Sequence, residues 1–180
     1  MEIDHEYNCY CLFVRSGSEL EVADSINERG GPFAALAPVR KIHEKRRGEW
    51  TERTKALLPG YVFVYADKSI QDPYTKRVDH MYRILRYDSE MHRLLGTDLE
   101  YALWIMKNDG EIGCSKILEL GDEIRVIEGP LLDCMGKVVR LDKHKRRATV
   151  KFDFDGKIRT VSLSAYIVTD IKKEDGQEVL

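Results

Sequence analysis

Leu57-Leu58-Pro59-Gly60-Tyr61-Val62-Phe63-Val64-Tyr65 is the stretch from which the rest of the chain can be read. Pro59-Gly60 marks a turn. The residues after it are the β-branched and aromatic types that strands favour. Side chains alternate across a strand, so Tyr61, Phe63 and Tyr65 share one face and Val62 and Val64 the other. Both faces are apolar. A sheet covered on one side only would carry polar residues on its second face. The second face is therefore either covered by more protein or kept apolar for a partner.

Upstream, Asn8 to Arg15 reads as a strand with Tyr10, Leu12 and Val14 on one face and Cys9, Cys11 and Phe13 on the other. Ser18-x-x-Glu21 has the form of a capping box, and the helix it opens ends at Gly30-Gly31-Pro32. Leu36 to Lys41 is expected as a strand. Trp50 to Leu57 runs back toward the opening stretch, with a turn at Arg46-Arg47-Gly48-Glu49, giving a long basic hairpin that projects into solvent or toward phosphate. Downstream, Asp72-Pro73 begins a helix with Tyr74, Val78 and Met81 on one face, and Tyr82 to Tyr87 is a strand. Thr97-x-x-Glu100 is a second capping box, and its helix stops at Asn108-Asp109-Gly110. Irregular alternation of strands and helices with a hairpin is the pattern of an α+β fold over residues 1–110.

The formal net charge of −2 conceals two basic segments. From Arg40 to Lys55 there are seven Lys/Arg against three Glu, and from Lys137 to Arg159 nine Lys/Arg against three Asp. Such clusters are the electrostatic footprint of nucleic-acid contact, or otherwise of solvated loops. The four cysteines, at 9, 11, 114 and 134, form no CxxC pair and have no histidine at zinc spacing, so reduced thiols and no metal are expected. No apolar run reaches the length of a membrane span and the first residues hold no apolar h-region, so neither secretion nor membrane spanning is expected. No nucleophile–base pair or paired catalytic carboxylates stand out, so no enzyme and no cofactor are expected.

After a segment at 111–119 that lacks a strong pattern and reads as a linker, a different unit begins. Runs at Ile124 to Ile127, Lys137 to Leu141, Ala148 to Phe154, Lys157 to Leu163 and near Ile167 are short strands with glycine punctuation, which points to a small five-stranded barrel over 120–171, followed by a polar tail at 172–180.

Gly121-Asp-x-Ile-x-Val-x-x-Gly-Pro-x-x-Asp-x-x-Gly-x-Val resembles the KOW motif of NusG-family transcription factors. Tyr10-x-x-x-Val14-x-Ser16-Gly17-x-Glu19 and Leu58-Pro59-Gly60-Tyr61-Val62-Phe63-Val64 resemble that family's NGN domain. The resemblance spans roughly residues 8 to 170. It implies an antiparallel NGN-like sheet with helices, followed by an SH3-like KOW barrel. The chain departs from housekeeping members at Tyr10-Cys11, at Leu58, and in the basic turn Asp142 to Arg147; these departures imply a specialised paralogue, and the short basic turn is most similar to that of the LoaP subgroup.

For the family, the NGN domain binds the β′ clamp helices of RNA polymerase through an apolar patch. The matching positions are Tyr10, Leu58, Pro59, Tyr61 and Phe63, and a second contact toward the β subunit falls on Gln71 and Asp72. Lys45, Arg46 and Arg47 would lie near upstream DNA. The KOW barrel would meet nascent structured RNA through Lys137, Arg140, Lys143, His144, Lys145, Arg146 and Arg147. Leu131, Leu132, Met135 and Phe154 match the apolar positions with which housekeeping barrels bind proteins; these four equally suit a core. The resemblance thus implies a monomeric cytoplasmic antitermination factor that suppresses pausing and termination. The alternatives are a general NusG-type factor whose barrel binds proteins only, and, less favoured, a ribosome-associated KOW protein.

Overall fold

In the computed structural model, which describes residues 7–67, 78–86, 92–121 and 123–168, the opening stretch becomes a strand at the centre of the first sheet. The elements along the chain are β1 (Tyr7–Val14), α1 (Glu19–Glu28), β2 (Phe33–Leu36), β3 (Val39–Arg46), β4 (Glu49–Ala56), β5 (Tyr61–Asp67), β6 (Met81–Ile84) and α2 (Gly96–Lys107). They continue with β7 (Glu111–Ile112), β8 (Ser115–Leu120), β9 (Glu123–Glu128), a 3-10 turn at Pro130–Asp133, β10 (Lys137–Asp142), β11 (Arg147–Phe154) and β12 (Lys157–Val168). None of the described helices is long and apolar enough to cross a membrane.

The first sheet has the order β2-β5-β1-β6. The β1–β5 register sets Cys11 opposite Phe63 and Tyr10 opposite Val64. Cross-strand partners share a face. Tyr10, Leu12, Val14, Val62 and Val64 therefore form one apolar layer, closed by Val22, Ala23 and Ile26 of α1. Cys9, Cys11, Tyr61, Phe63 and Tyr65 form the other, which belongs to a larger core shared with α2 and the C-terminal strands.

Glu19 ties the helix to the sheet. Its Oε2 accepts the Gly17 N–H at 2.9 Å and its Oε1 accepts the Gly60 N–H at 2.7 Å. Gly60 has φ +87, and a Cβ there would stand 3.3 Å from the Phe13 ring, which is why the turn before β5 carries glycine. The expected Ser18–Glu21 capping box does not form. The Ser18 hydroxyl instead accepts from the Arg15 guanidinium at 2.9 Å and makes no cap bond. The second box fails similarly, since α2 has Leu95 at its N-cap without a side-chain bond. In both helices a different acid in the first turn, Glu19 or Asp98, is drawn into a tertiary contact.

The expected strand at Leu36–Lys41 is two strands, β2 and β3, because Pro38 interrupts the ladder. The basic hairpin is present as β3–β4, closed by Arg47-Gly48 with φ of 49° and 91°, the signature of a type I′ turn. Its base is held by a short parallel pairing of β3 with β7. The helix expected from Asp72 falls mostly outside the described residues, as do the tail and the N-terminal six residues.

The C-terminal strands form a curled sheet of order β10-β11-β12-β8-β9. The segment expected as a linker supplies β7 and β8, joined by Gly113-Cys114 alone, and β8 pairs in parallel with β12. β8 therefore lies between β12 and β9 as the strand that brings the sheet to five, and the run near Ile167 is the continuation of β12. Leu118 is buried and Ile117 fully so. Their two-residue apolar core was too short to stand out from a charged sequence. Gly129 crosses over β8 so closely that a Cβ would lie 2.7 Å from the Cys114 carbonyl oxygen, which accounts for the Gly-Pro of the motif.

Glu19→Ala removes both charge-assisted bonds and leaves the buried Gly60 N–H without an acceptor; it is expected to destabilise the fold by about 3 kcal/mol. Glu19→Gln keeps one acceptor and should cost about half as much. Urea denaturation of the two variants measures this, and equal, small losses would show that the helix is anchored elsewhere.

Candidate docking face and basic cleft

The aromatic face of β5 is not open to solvent. Tyr61 is 6% exposed and Phe63 0%, and what covers them is the C-terminal sheet. The Phe154 ring, at the end of β11, meets Tyr61 edge-on at 5.6 Å and Phe63 at 5.5 Å. Tyr101 of α2 stacks on Phe152 at 4.4 Å and lies 5.5 Å from Phe154. Arg159 sits 5.2 Å over the Tyr61 ring and donates to its hydroxyl at 2.6 Å. Around this ring cluster the two units exchange polar contacts. Arg40 donates to the Ser162 carbonyl at 2.6 Å and Arg147 to that of His43 at 2.6 Å. The Trp104 indole donates to the Pro130 carbonyl at 2.8 Å, and the Asp155 N–H donates to Asp98 at 3.1 Å.

The seam is imperfectly satisfied. Arg40 Nε, Tyr101 Oη, Arg147 Nη1 and Arg159 Nε are buried with no hydrogen-bond partner among the described residues. Burial lowers the pKa of Arg40, and the nearby Arg147 guanidinium lowers it further, so two cations repel one another across the seam. Each such buried group opposes the apolar gain by about 1–3 kcal/mol.

The residues expected to dock divide into several groups. Leu58, Tyr61 and Phe63 lie on the covered face, and Pro59 is exposed at its edge. Tyr10 is a correction: it is 1% exposed on the opposite layer against α1, because its partner in the ladder is Val64. Gln71 and Asp72 lie outside the described residues. Phe13 was missed; its ring packs 5.5 Å from Tyr61 and 5.6 Å from the exposed Tyr82. Strand alternation had already separated Tyr10 from Phe13, and only the register was needed to say which of them joins Tyr61. Of the apolar barrel positions, Leu132 and Met135 are exposed, whereas Leu131 is in the core and Phe154 is the residue that covers the face.

The two basic segments meet. The hairpin tip and the β10–β11 turn enclose an open cleft of about 340 Å³ lined by His43, Glu44, Lys45, Arg46, Trp50, His144, Lys145 and Arg147. The Arg146 guanidinium lies 4.3 Å over the Trp50 ring. Lys143 turns aside to Glu119 at 2.5 Å, and Lys137 and Arg140 are exposed on β10. Arg47 is exposed at the hairpin turn.

Sheet, helices and covered face are those of a two-part α+β factor with a small C-terminal β-unit. The sequence model of the family described as "Transcription termination factor nusG" matches residues 8–99, just over half of the chain. The chain belongs to the NusG family. It is 27% identical to the "Transcription termination/antitermination protein NusG" of Rickettsia typhi over 92% of this chain and 90% of that protein. It is 25% identical to the protein of the same description from Helicobacter pylori over 82% of this chain and 89% of that one. A solved structure titled "Domain interaction in Thermotoga maritima NusG" is similar with a TM-score of 0.48 and 19% identity, covering 88% of this chain and 93% of that chain.

Burial raises the thiol of Cys9 to about 12, and raises Cys11, Tyr65 and Tyr101 well above their usual values; Tyr61 is also raised, chiefly by burial. These groups hold their protons longer in the folded chain than in the unfolded one. Their contribution is complete below about pH 9 and is lost as pH rises through the folded values. The urea midpoint is therefore expected to fall steadily from pH 9 toward 12, and less steeply in Cys9→Ala/Cys11→Ala. A flat midpoint over that window would contradict the burial of this face.

Proposed function

We infer that this NusG-family chain is an elongation and antitermination factor that docks on the β′ clamp helices of RNA polymerase through the Leu58, Pro59, Tyr61 and Phe63 face, and that the C-terminal unit must leave this face first. The observation that carries the reading is the cover itself: an aromatic face matching the family's docking patch packs against a unit whose polar seam is only partly satisfied. A core built for permanence would leave fewer buried donors without acceptors. The same rings that hold the closed arrangement are the hot-spot types that a partner would compete for. Bound to polymerase, the factor stabilises one clamp state over another by differential affinity and performs no chemistry. It acts as a monomer in the cytoplasm. Exposed Lys137, Arg140 and Lys145, with Arg146, support contact of the C-terminal unit with nascent RNA, and Lys45, Arg46 and Arg47 support contact with nucleic-acid phosphate. Exposed Leu132 and Met135 favour, as a second reading, a protein partner for the same unit.

Two variants of opposite effect test the docking face. Phe154→Ala with Arg159→Ala loosens the cover while leaving Tyr61 and Phe63 intact, and should strengthen binding to core RNA polymerase about tenfold. Tyr61→Ala with Phe63→Ala removes the face and should abolish it. If both variants bind as the unaltered chain does, the face is misassigned. In transcription past an intrinsic terminator in vitro, added protein should raise read-through; unchanged termination would remove the antitermination reading.

A further inference from the structure

The cleft between the β3–β4 hairpin and the β10–β11 turn joins two basic segments about 100 residues apart in the chain, the separation of His43 and Arg147 being 104 positions. Its hairpin wall carries Lys45, Arg46 and Trp50, and its other wall Lys145 and Arg147, with Arg146 reaching over Trp50. Four acids stand near it: Glu49 is exposed opposite Arg46 at the hairpin tip and Glu52 lies 3.9 Å from His43, while the other two are engaged elsewhere. The Glu44 carboxylate accepts from Lys55 at 2.5 Å, and Asp142 accepts the Lys145 backbone N–H at 2.9 Å. His43 is bonded to Ser164 at 3.1 Å. Arg147 spends Nη2 on the His43 carbonyl, and its Nη1 has no partner. The cleft is thus a concentration of positive charge with donors to spare.

Trp50 gives the cleft its second property. It belongs to neither apolar core, yet it is half-buried at a hairpin tip that is otherwise charged apart from Gly48. Its register partner is Lys45, and its ring carries a guanidinium at 4.3 Å. A flat aromatic surface within a ring of cations suits a nucleobase with phosphates on either side. Duplexes keep their base faces stacked, whereas loops and single strands expose them.

We propose that this cleft is one binding site for an unpaired segment of RNA, formed only while the C-terminal unit covers the β5 face. A base takes the place of the Arg146 guanidinium on Trp50. The freed guanidinium joins Lys45, Arg46 and Lys145 on the flanking phosphates. This rests on the reading of the chain as an RNA-contacting factor and adds to it a site and a coupling. Because each wall belongs to a different unit, RNA held across both stabilises the covered arrangement. By reciprocity, covering strengthens RNA binding by the same factor.

The test uses the full chain and a fluorescein-labelled unstructured oligoribonucleotide, with the same sequence as duplex RNA, single-stranded DNA and duplex DNA for comparison. Binding is read by anisotropy and by quenching of Trp50; Trp104, whose indole is bonded to Pro130, supplies a constant background. Unpaired RNA should bind tightest, quench Trp50, and weaken steeply with salt. Trp50→Ala should weaken it about tenfold. Lys45→Glu/Arg46→Glu and, separately, Lys145→Glu should each do the same. Tyr61→Ala/Phe63→Ala, which alters no cleft residue, should also weaken it by separating the walls.

If the hairpin reversal leaves affinity unchanged while Lys145→Glu lowers it, the turn alone holds RNA; the composite site is then wrong and the broader RNA reading stands. If no RNA binds at any salt, both fall. Tighter binding to duplex DNA than to unpaired RNA overturns the assigned ligand. The hairpin substitutions are on exposed residues, so they decide the question even if the aromatic double variant does not fold.

Discussion

Phe154, lodged against Tyr61, Phe63 and Tyr101 at ring distances of 5.5–5.6 Å, holds the arrangement of the whole chain. A β-unit of this size buries only a modest share of its surface by itself. Here its rings are shared with the first sheet, so the core that stabilises the C-terminal strands is also the cover of the β5 face. Against this gain stand the unpartnered Arg40, Arg147, Arg159 and Tyr101 atoms at the same seam. Apolar complementarity draws the units together, and polar imperfection limits how tightly they are held.

Much of this was legible in the sequence, for reasons that can be named. The alternation in Tyr61–Tyr65 identified a strand with two apolar faces, because period-2 patterning survives any tertiary context. The Arg47-Gly48 hairpin and the C-terminal strands followed from charge, turn residues and spacing. What failed was whatever depended on the pairing partner. Tyr10 was grouped with Tyr61, yet the register sets it against Val64 and delivers Cys11 to the aromatic side. The spacing of Ser18–Glu21 and Thr97–Glu100 predicts capping boxes, but the Ser18 hydroxyl is taken by Arg15 and the second helix has its N-cap at Leu95, ahead of Thr97. β8 has the pattern of a linker because Ile117 and Leu118 are its only buried apolar residues, and the strand that requires them, β12, lies about 50 residues on.

The site divides the same way. Composition locates both basic segments, and the family resemblance assigns them to separate ligands. Nothing in a linear reading says that Arg146 comes to rest on Trp50, since that contact depends on how the β-unit sits on the sheet. Phe154 is the clearest instance of the limit. Its burial suggests an ordinary core residue, while its neighbours show that the core is an interface between two parts of one chain.

The joint between β7 and β8 is two residues long, Gly113-Cys114, and at about 3.5 Å per residue it reaches only about 7 Å. With both flanking strands in place, the C-terminal unit is on a very short leash. Any competitor for the aromatic face then faces an intramolecular rival at high effective concentration, which dilution does not weaken. A competitor displaces this rival only through its own affinity and concentration, because the intramolecular closing step does not depend on the amount of this protein. Once the competitor leaves, the tethered unit recloses without a search.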